Sequence, residues 1–239
     1  MPTPLRRGPK PKYRLQEVVD AAIAIADAEG LHAVTMQRVG EALGATKMAL
    51  YRYLPGKTEL AALMLDRALG PPPATFSAIR GADWRSQLST WALELHTRMA
   101  ARPWSLELTL GVRTPGLNEL LWFERGLAAM SKTPLDGAER LDVLALLNNH
   151  VRGCVQIAAS ASEAESALAT ALEPLLAAHA ERFCETRAAF ASAATSGRRN
   201  DALRFGLERI LDGVATLIAS RCGDDLSGSQ RDQPGMPDQ

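Results

Sequence analysis

Thr35-Met36-Gln37-Arg38-Val39-Gly40-Glu41-Ala42-Leu43-Gly44-Ala45-Thr46-Lys47-Met48-Ala49-Leu50-Tyr51-Arg52-Tyr53-Leu54 reads as two short helices joined at Gly44. Met36, Val39 and Leu43 recur at helical spacing and stop at Gly44, a residue that takes the left-handed backbone needed to end a helix. Thr46 restarts the chain as an N-cap, its hydroxyl accepting from a free amide of the next turn. Leu50 and Leu54, four apart, share one face and leave Lys47, Met48, Tyr51 and Arg52 pointing outward. A second helix held this way fits the major groove of duplex DNA. Lys47 can reach a base acceptor or a phosphate, Tyr51 a phosphate oxygen, Arg52 either, and Met48 a thymine methyl. An ordinary helical corner shows the same Gly-turn pattern, so the neighbouring sequence has to decide.

Upstream, Leu15 to Glu29 forms a longer helix whose stripe of Leu15, Val19, Ala22, Ile23 and Ala26 ends at Gly30-Leu31. Downstream, Lys57 opens a helix running to Leu69, where its ammonium and the free amides of the first turn suit a phosphate. Thr35 and Arg38 belong to the same expected DNA-facing set. The first fourteen residues carry Arg6, Arg7, Lys10, Lys12 and Arg14 with no acid, broken by Gly8, Pro9 and Pro11. That composition suits either a solvated tail or an extended arm in a minor groove, and its place directly before a groove-binding unit favours the arm. Formal net charge is zero, yet residues 1–60 hold nine Lys or Arg against six Asp or Glu, and the remainder 18 against 21. The DNA end is the basic end.

At this point the chain resembles the TetR family of bacterial repressors, through Ala26-Asp27-Ala28-Glu29-Gly30-Leu31, Thr35 to Leu54, and Lys57-Thr58-Glu59-Leu60. The resemblance implies that Thr46, Lys47, Met48, Tyr51, Arg52 and Lys57 lie at the DNA. Gly40, Tyr53 and Leu54 depart from the family pattern of Ala, His and Phe or Val. Arg204 to Gly213 looks like the final helix of many actinobacterial-type members. Leu110 to Pro115, followed by Gly153-Cys154-Val155, resembles the effector domain of the tetracycline repressor. Tetracycline itself is not implied, because no His is placed to hold the metal that accompanies the drug.

Gly70-Pro71-Pro72-Pro73 marks a domain boundary, and everything beyond it reads as helix: Trp84 to Ala101, Pro103 to Leu110, Pro115 to Met130, Gly137 to Ser160, Glu163 to Ala194 and Asp201 to Arg221. The expected organisation is all-α: a basic arm at 1–12, a helix-turn-helix domain at 13–70, a larger effector-binding and dimerisation domain at 71–221, and a disordered tail at 222–239. Two late stripes suggest a dimer, one through Leu144, Val151 and Val155 and one through Leu203, Leu207, Ile210 and Val214. Stripes that serve only their own domain's core would look the same. In the family the corresponding helices pair as a four-helix bundle, and a two-fold dimer doubles the short site that one recognition helix reads. His96, Trp104, Leu108, Arg113, Trp122, Asn148, Asn149 and Arg152 combine apolar bulk with a few polar groups, the make-up of a small-molecule pocket or of a packed core.

Other classes find little support. With 239 residues and 46% hydrophobic content the chain can fill a substantial core, and no run reaches the roughly 18 apolar residues of a membrane span. The basic start lacks a signal-peptide core, so a cytoplasmic location is expected. Cys154, Cys184 and Cys222 lack metal-ligand spacing and read as reduced core thiols. The four His form no His-Glu-x-x-His, and there is no Gly-x-Ser-x-Gly elbow or phosphate-cradling glycine loop. No catalytic residue, metal or cofactor is expected. The reading is a ligand-responsive homodimeric repressor that binds operator DNA. The alternatives are a dimeric regulator controlled by a protein partner instead of a small effector and, further off, a helical enzyme.

Overall fold

A computed structural model describes residues 13–73, 83–110, 113–196 and 202–228, without the side chains of 159–170, 194, 196 and 223–228. Arg6, Arg7, Lys10 and Lys12 therefore lie outside the described residues. Among those described, helices are the only regular elements: α1 (Leu15–Glu29), a 3-10 turn (Leu31–Ala33), α2 (Met36–Leu43), α3 (Lys47–Leu50), α4 (Lys57–Leu69), α5 (Trp84–Ala101), α6 (Ser105–Leu108), α7 (Leu117–Ala129), α8 (Gly137–Ala178), α9 (Cys184–Ser196) and α10 (Ala202–Gly228).

The chain divides into two compact units. Of the described residues, the first holds 13–70 and, unexpectedly, 104–110 and 113–119. Its core draws Val18, Ala22 and Ile25 from α1, Val39 from α2, Leu50 from the end of α3, Leu54 from just past the turn that follows it, and Leu60 and Met64 from α4. Each of these side chains except the small Ala22 contributes about 1.5–3 kcal/mol on leaving water. Trp104 and Leu108 pack against this core, and the Trp104 indole donates to Asp27 Oδ1 at 2.8 Å. The Gly-Pro-Pro-Pro run at 70–73 does end the first pass through the unit, but the chain returns to it thirty-odd residues later.

In the second unit α8 packs against both α5 and α10. Leu88, Trp91 and Leu95 of α5, Leu144, Leu147 and Val151 of α8, and Leu207, Leu211 and Val214 of α10 are all buried. Asp136 and Glu139 form a capping box at the start of α8, each carboxylate accepting from the other's amide, at 2.8 and 3.0 Å. The Glu139 carboxylate also accepts from Arg221 of α10, and these bonds hold its pKa below the ordinary value.

Several element boundaries differ from expectation. The two helices expected to part near 161 part further on, α8 running through 161 and past Pro174 to Ala178 and α9 starting at Cys184, because no Gly or Pro stands near 161 to end α8 there. The helix expected over Pro103 to Leu110 shrinks to the four residues of α6. Helix α10 continues to Gly228, so Cys222 and the six residues after it, expected in the tail, are helical. Cys184 and Cys222 are exposed, and only Cys154 is half-buried, so the thiols are free but not core.

Candidate nucleic-acid interface and ligand region

The corner between α2 and α3 is built from three local devices. Thr35 Oγ1 accepts from Arg38 N at 3.0 Å and starts α2. Gly44 ends it with φ 62° and ψ 33°, the left-handed conformation that a side chain would strain. Thr46 Oγ1 then accepts from Ala49 N at 3.3 Å and starts α3. Burial of Leu50 and Leu54 fixes the rotation of this short helix, so Lys47, Met48, Tyr51 and Arg52 are all exposed, Met48 by 74%. Lys47 Nζ lies 5.9 Å from the centre of the Tyr51 ring, a cation over a π face. Lys57 is exposed at the start of α4, where Gly56 supplies no capping side chain. Arg38 is engaged differently: its guanidinium donates to Glu29 at 2.6 Å, and that bond raises its pKa.

Two tyrosines to which the sequence reading assigns no role, Tyr13 and Tyr53, belong to this corner. The Tyr13 hydroxyl lies 3.0 Å from the Leu43 carbonyl oxygen, and Tyr13 N donates to Tyr53 Oη at 3.3 Å. Neither contact has a local signature, since the partners are 30 and 40 residues apart.

The expected ligand residues do not assemble in one unit. Trp104, Leu108 and Arg113 belong to the first unit and His96, Trp122, Asn148, Asn149 and Arg152 to the second. Trp104 and Leu108 serve the first unit's core, and Arg113 forks onto Glu119, with Nη1 to Oε1 at 2.7 Å. Trp122 is only 2% exposed and packs edge-on against Trp91, ring centres 6.2 Å apart, while its carbonyl accepts from Trp91 Nε1 at 2.9 Å. It is core, because an indole enclosed by protein has no face left for a ligand. Asn149 is exposed, whereas His96, Asn148 and Arg152 are half-buried. Burial pushes the His96 imidazole below its usual pKa, and the enclosed Nε of Arg152 has no acceptor among the described residues. An open groove of about 420 Å³ lies within the second unit, lined by Arg85, Ser86, Ser89, Thr90, Leu207, Glu208 and Leu211, and includes none of the eight.

The expected dimer residues need a similar correction. Leu144, Val151, Val155, Leu207 and Val214 are buried within the single chain, and Leu203 and Ile210 half-buried. A side chain already enclosed by its own fold has almost no surface left to give a partner. The large apolar residues that α8 and α10 leave in water are, among the described side chains, Leu141, Leu146, Ile157, Leu175 and Phe205.

A small helical unit that presents a short, cation-bearing helix on a buried apolar base, in one chain with a larger helical unit, is the build of a DNA-binding transcription regulator. Residues 18–64 match the bacterial regulatory proteins of the tetR family, and residues 79–218 match the tetracyclin repressor-like C-terminal domain. The chain belongs to the TetR family, whose members are DNA-binding regulators and not a family of enzymes. It is 35% identical over 229 residues to the HTH-type transcriptional repressor DrrR1 of Streptomyces coeruleorubidus, covering 91% of this chain and 83% of the relative. Its fold is that of apo ActR from Streptomyces coelicolor, with a TM-score of 0.72 at 22% identity over 89% of this chain and 99% of the other. ActR in complex with actinorhodin gives 0.69 at 21% identity, over 85% and 96%. Among the described residues, no helix is long and apolar enough to cross a membrane.

Proposed function

We propose that the chain is a homodimeric repressor that holds operator DNA through α3 and the start of α4 and releases it when a small molecule occupies the second unit. The observation that carries the DNA-binding half is the exposure of Lys47 and Met48 on α3 and of Tyr51 and Arg52 in the turn that follows it, a segment locked into the core by Leu50 and Leu54. Tyr51, Arg52 and Lys57 hold phosphates and set the register, while Lys47 and Met48 read base edges. A two-fold pair of such units reaches successive major grooves, roughly 34 Å apart. Such a protein acts where the DNA is, in the cytoplasm.

The effector half is supported by kinship with a relative named as a repressor and by the likeness in fold to ActR, which has been solved with actinorhodin. Within the second unit, His96, Asn148 and Arg152 are the groups of the expected set that remain partly open, and a bound effector supplies the acceptor that Arg152 Nε lacks among the described residues. Release needs only that the effector bind the DNA-competent and DNA-incompetent arrangements unequally.

Anisotropy titrations test the interface. Tyr51→Phe and Lys57→Ala should weaken binding to every duplex, Lys57→Ala also lowering the salt slope by about one, whereas Lys47→Ala should change sequence preference. Wild-type behaviour of all three variants would remove the interface from α3. Thermal-shift screening of a metabolite panel that includes actinorhodin tests the effector, because a molecule bound only by the folded chain raises the melting point.

A further inference from the structure

Tyr13 adjoins Lys12, the last cation of the basic run before it. Its side chain crosses to the corner between α2 and α3, where Oη lies 3.0 Å from the Leu43 carbonyl oxygen and 3.3 Å from that of Gly44. The end of a helix leaves its last carbonyls without intrahelical donors, and the one phenolic proton goes to the nearer oxygen and is shared with the farther. The Tyr13 backbone is held as well, since its N–H donates to Tyr53 Oη at 3.3 Å. Tyr53 lies on the far side of the same corner, three residues beyond the end of α3. Backbone and side chain of one residue are thus tied to opposite flanks of the helix-turn-helix corner. Packing alone does not need this arrangement: a phenyl ring would fill the same half-buried position without reaching any carbonyl.

We propose that Tyr13 is a positioning residue for DNA binding, fixing beside the groove-facing helix the residue to which the basic run of Arg6, Arg7, Lys10 and Lys12 is joined in sequence. The inference rests on the DNA-binding reading above. A tethered cationic segment adds affinity according to how well its attachment point is placed, because a fixed origin raises its effective concentration at the neighbouring groove. Releasing Tyr13 from the corner frees that attachment point and costs affinity without removing any cation.

A thermodynamic cycle separates this role from a merely structural one. Four proteins are titrated with a duplex that the full chain itself selects from a randomised pool: the full chain, Tyr13→Phe, the chain lacking residues 1–12, and that truncation carrying Tyr13→Phe. Loss of one hydrogen bond should weaken binding of the full chain roughly three- to tenfold. Its salt slope should fall toward that of the truncated chain. In the truncated chain the same substitution should change affinity less than about twofold, because the coupled partner is gone. Tyr53→Phe, which removes the acceptor for the Tyr13 amide, should likewise cost affinity only when residues 1–12 are present. Equal losses with and without those residues would show that the phenol serves the corner itself, and no loss in either background would show that it serves nothing at the DNA; both overturn the inference. A full chain that selects no duplex overturns the DNA-binding reading together with the inference, a result distinct from wild-type binding that ignores Tyr13. Melting curves confirm that each variant compared is folded.

Discussion

Arg38 shows why a cation counted in a DNA-binding segment is not yet a cation at the DNA. It projects from the first turns of α2, and its guanidinium is drawn to Glu29, the last residue of α1, at 2.6 Å. An exposed ion pair of this kind does little for folding, but it sets a competition, because the carboxylate and a phosphate oxygen seek the same donors. Glu29→Gln keeps the shape and removes the competing charge. If Arg38 faces the duplex, this variant should bind operator roughly two- to threefold more tightly at low salt, a gain of the size exposed pairs allow, with the difference fading as salt rises. Arg38→Ala should show the opposite sign. Unchanged affinity in Glu29→Gln would make the pair a strut between α1 and α2. By contrast, Lys47, Met48, Tyr51 and Arg52 stand where Leu50 and Leu54 put them, since one leucine buried at the end of α3 and one just past the following turn pin so short a segment from both sides.

Helix α7 is started by a residue 52 positions away. Asp66, near the end of α4, accepts from Asn118 N at 2.7 Å and Glu119 N at 3.1 Å, and the Asn118 side chain returns two bonds to Asp66, at 3.0 and 3.1 Å. The carboxylate does the work of an N-cap because Gly116, the residue before α7, has no side chain to do it. Nor can Gly116 gain one, as a Cβ there would fall 2.2 Å from Asp66 Cγ. Asp66→Ala should therefore cost about 1–2 kcal/mol in denaturant unfolding, the usual loss of a good cap. Gly116→Ala should also destabilise, by displacing the same carboxylate. The two together should cost clearly less than their sum, because removing the carboxylate opens the space that the new methyl needs. Strict additivity would mean that the contact does not cap α7. This long-range cap also explains what the sequence could not convey about domains. The Gly70-Pro71-Pro72-Pro73 break and the helices α1, α4 and α5 are legible because each is a local pattern of stripes, caps and breakers. The return of 104–119 to the first unit depends on Asp66, Asp27 and the α1–α4 core, none of which marks its partner by spacing. Trp104 and Trp122 looked alike for the same reason: both are large and apolar, and only the fold assigns them to different cores.

The proposed homodimer follows from what the folded chain leaves uncovered. Leu146 of α8 is 55% exposed, Ile157 66%, and Phe205 of α10 61%. Leu146, Asn149, Gly153 and Ile157 follow one another at steps of three and four, so they share a side of α8 away from the buried Leu144, Leu147 and Val151. Large apolar side chains repeated along one face are costly in water and are the usual core of a subunit interface. Leu146→Glu combined with Ile157→Glu tests whether a second copy covers them. In the isolated chain both positions face water, so helical content and the unfolding of the monomer should hardly change. In a dimer the carboxylates would be stripped of water with no cation to pair them, a penalty large enough to dissociate it. Sedimentation should then show a monomer, and operator affinity should collapse to that of a single half-site. Leu144→Ala provides the contrast. At 1% exposure it should cost about 2–5 kcal/mol of folding stability, since it leaves a cavity in the chain's own core. If the double Glu variant sediments as a dimer, the pairing surface lies elsewhere and α8 presents Leu146 and Ile157 to some other partner. If it is monomeric and still binds a full operator as tightly as before, two-fold recognition is wrong and one copy reads the site alone.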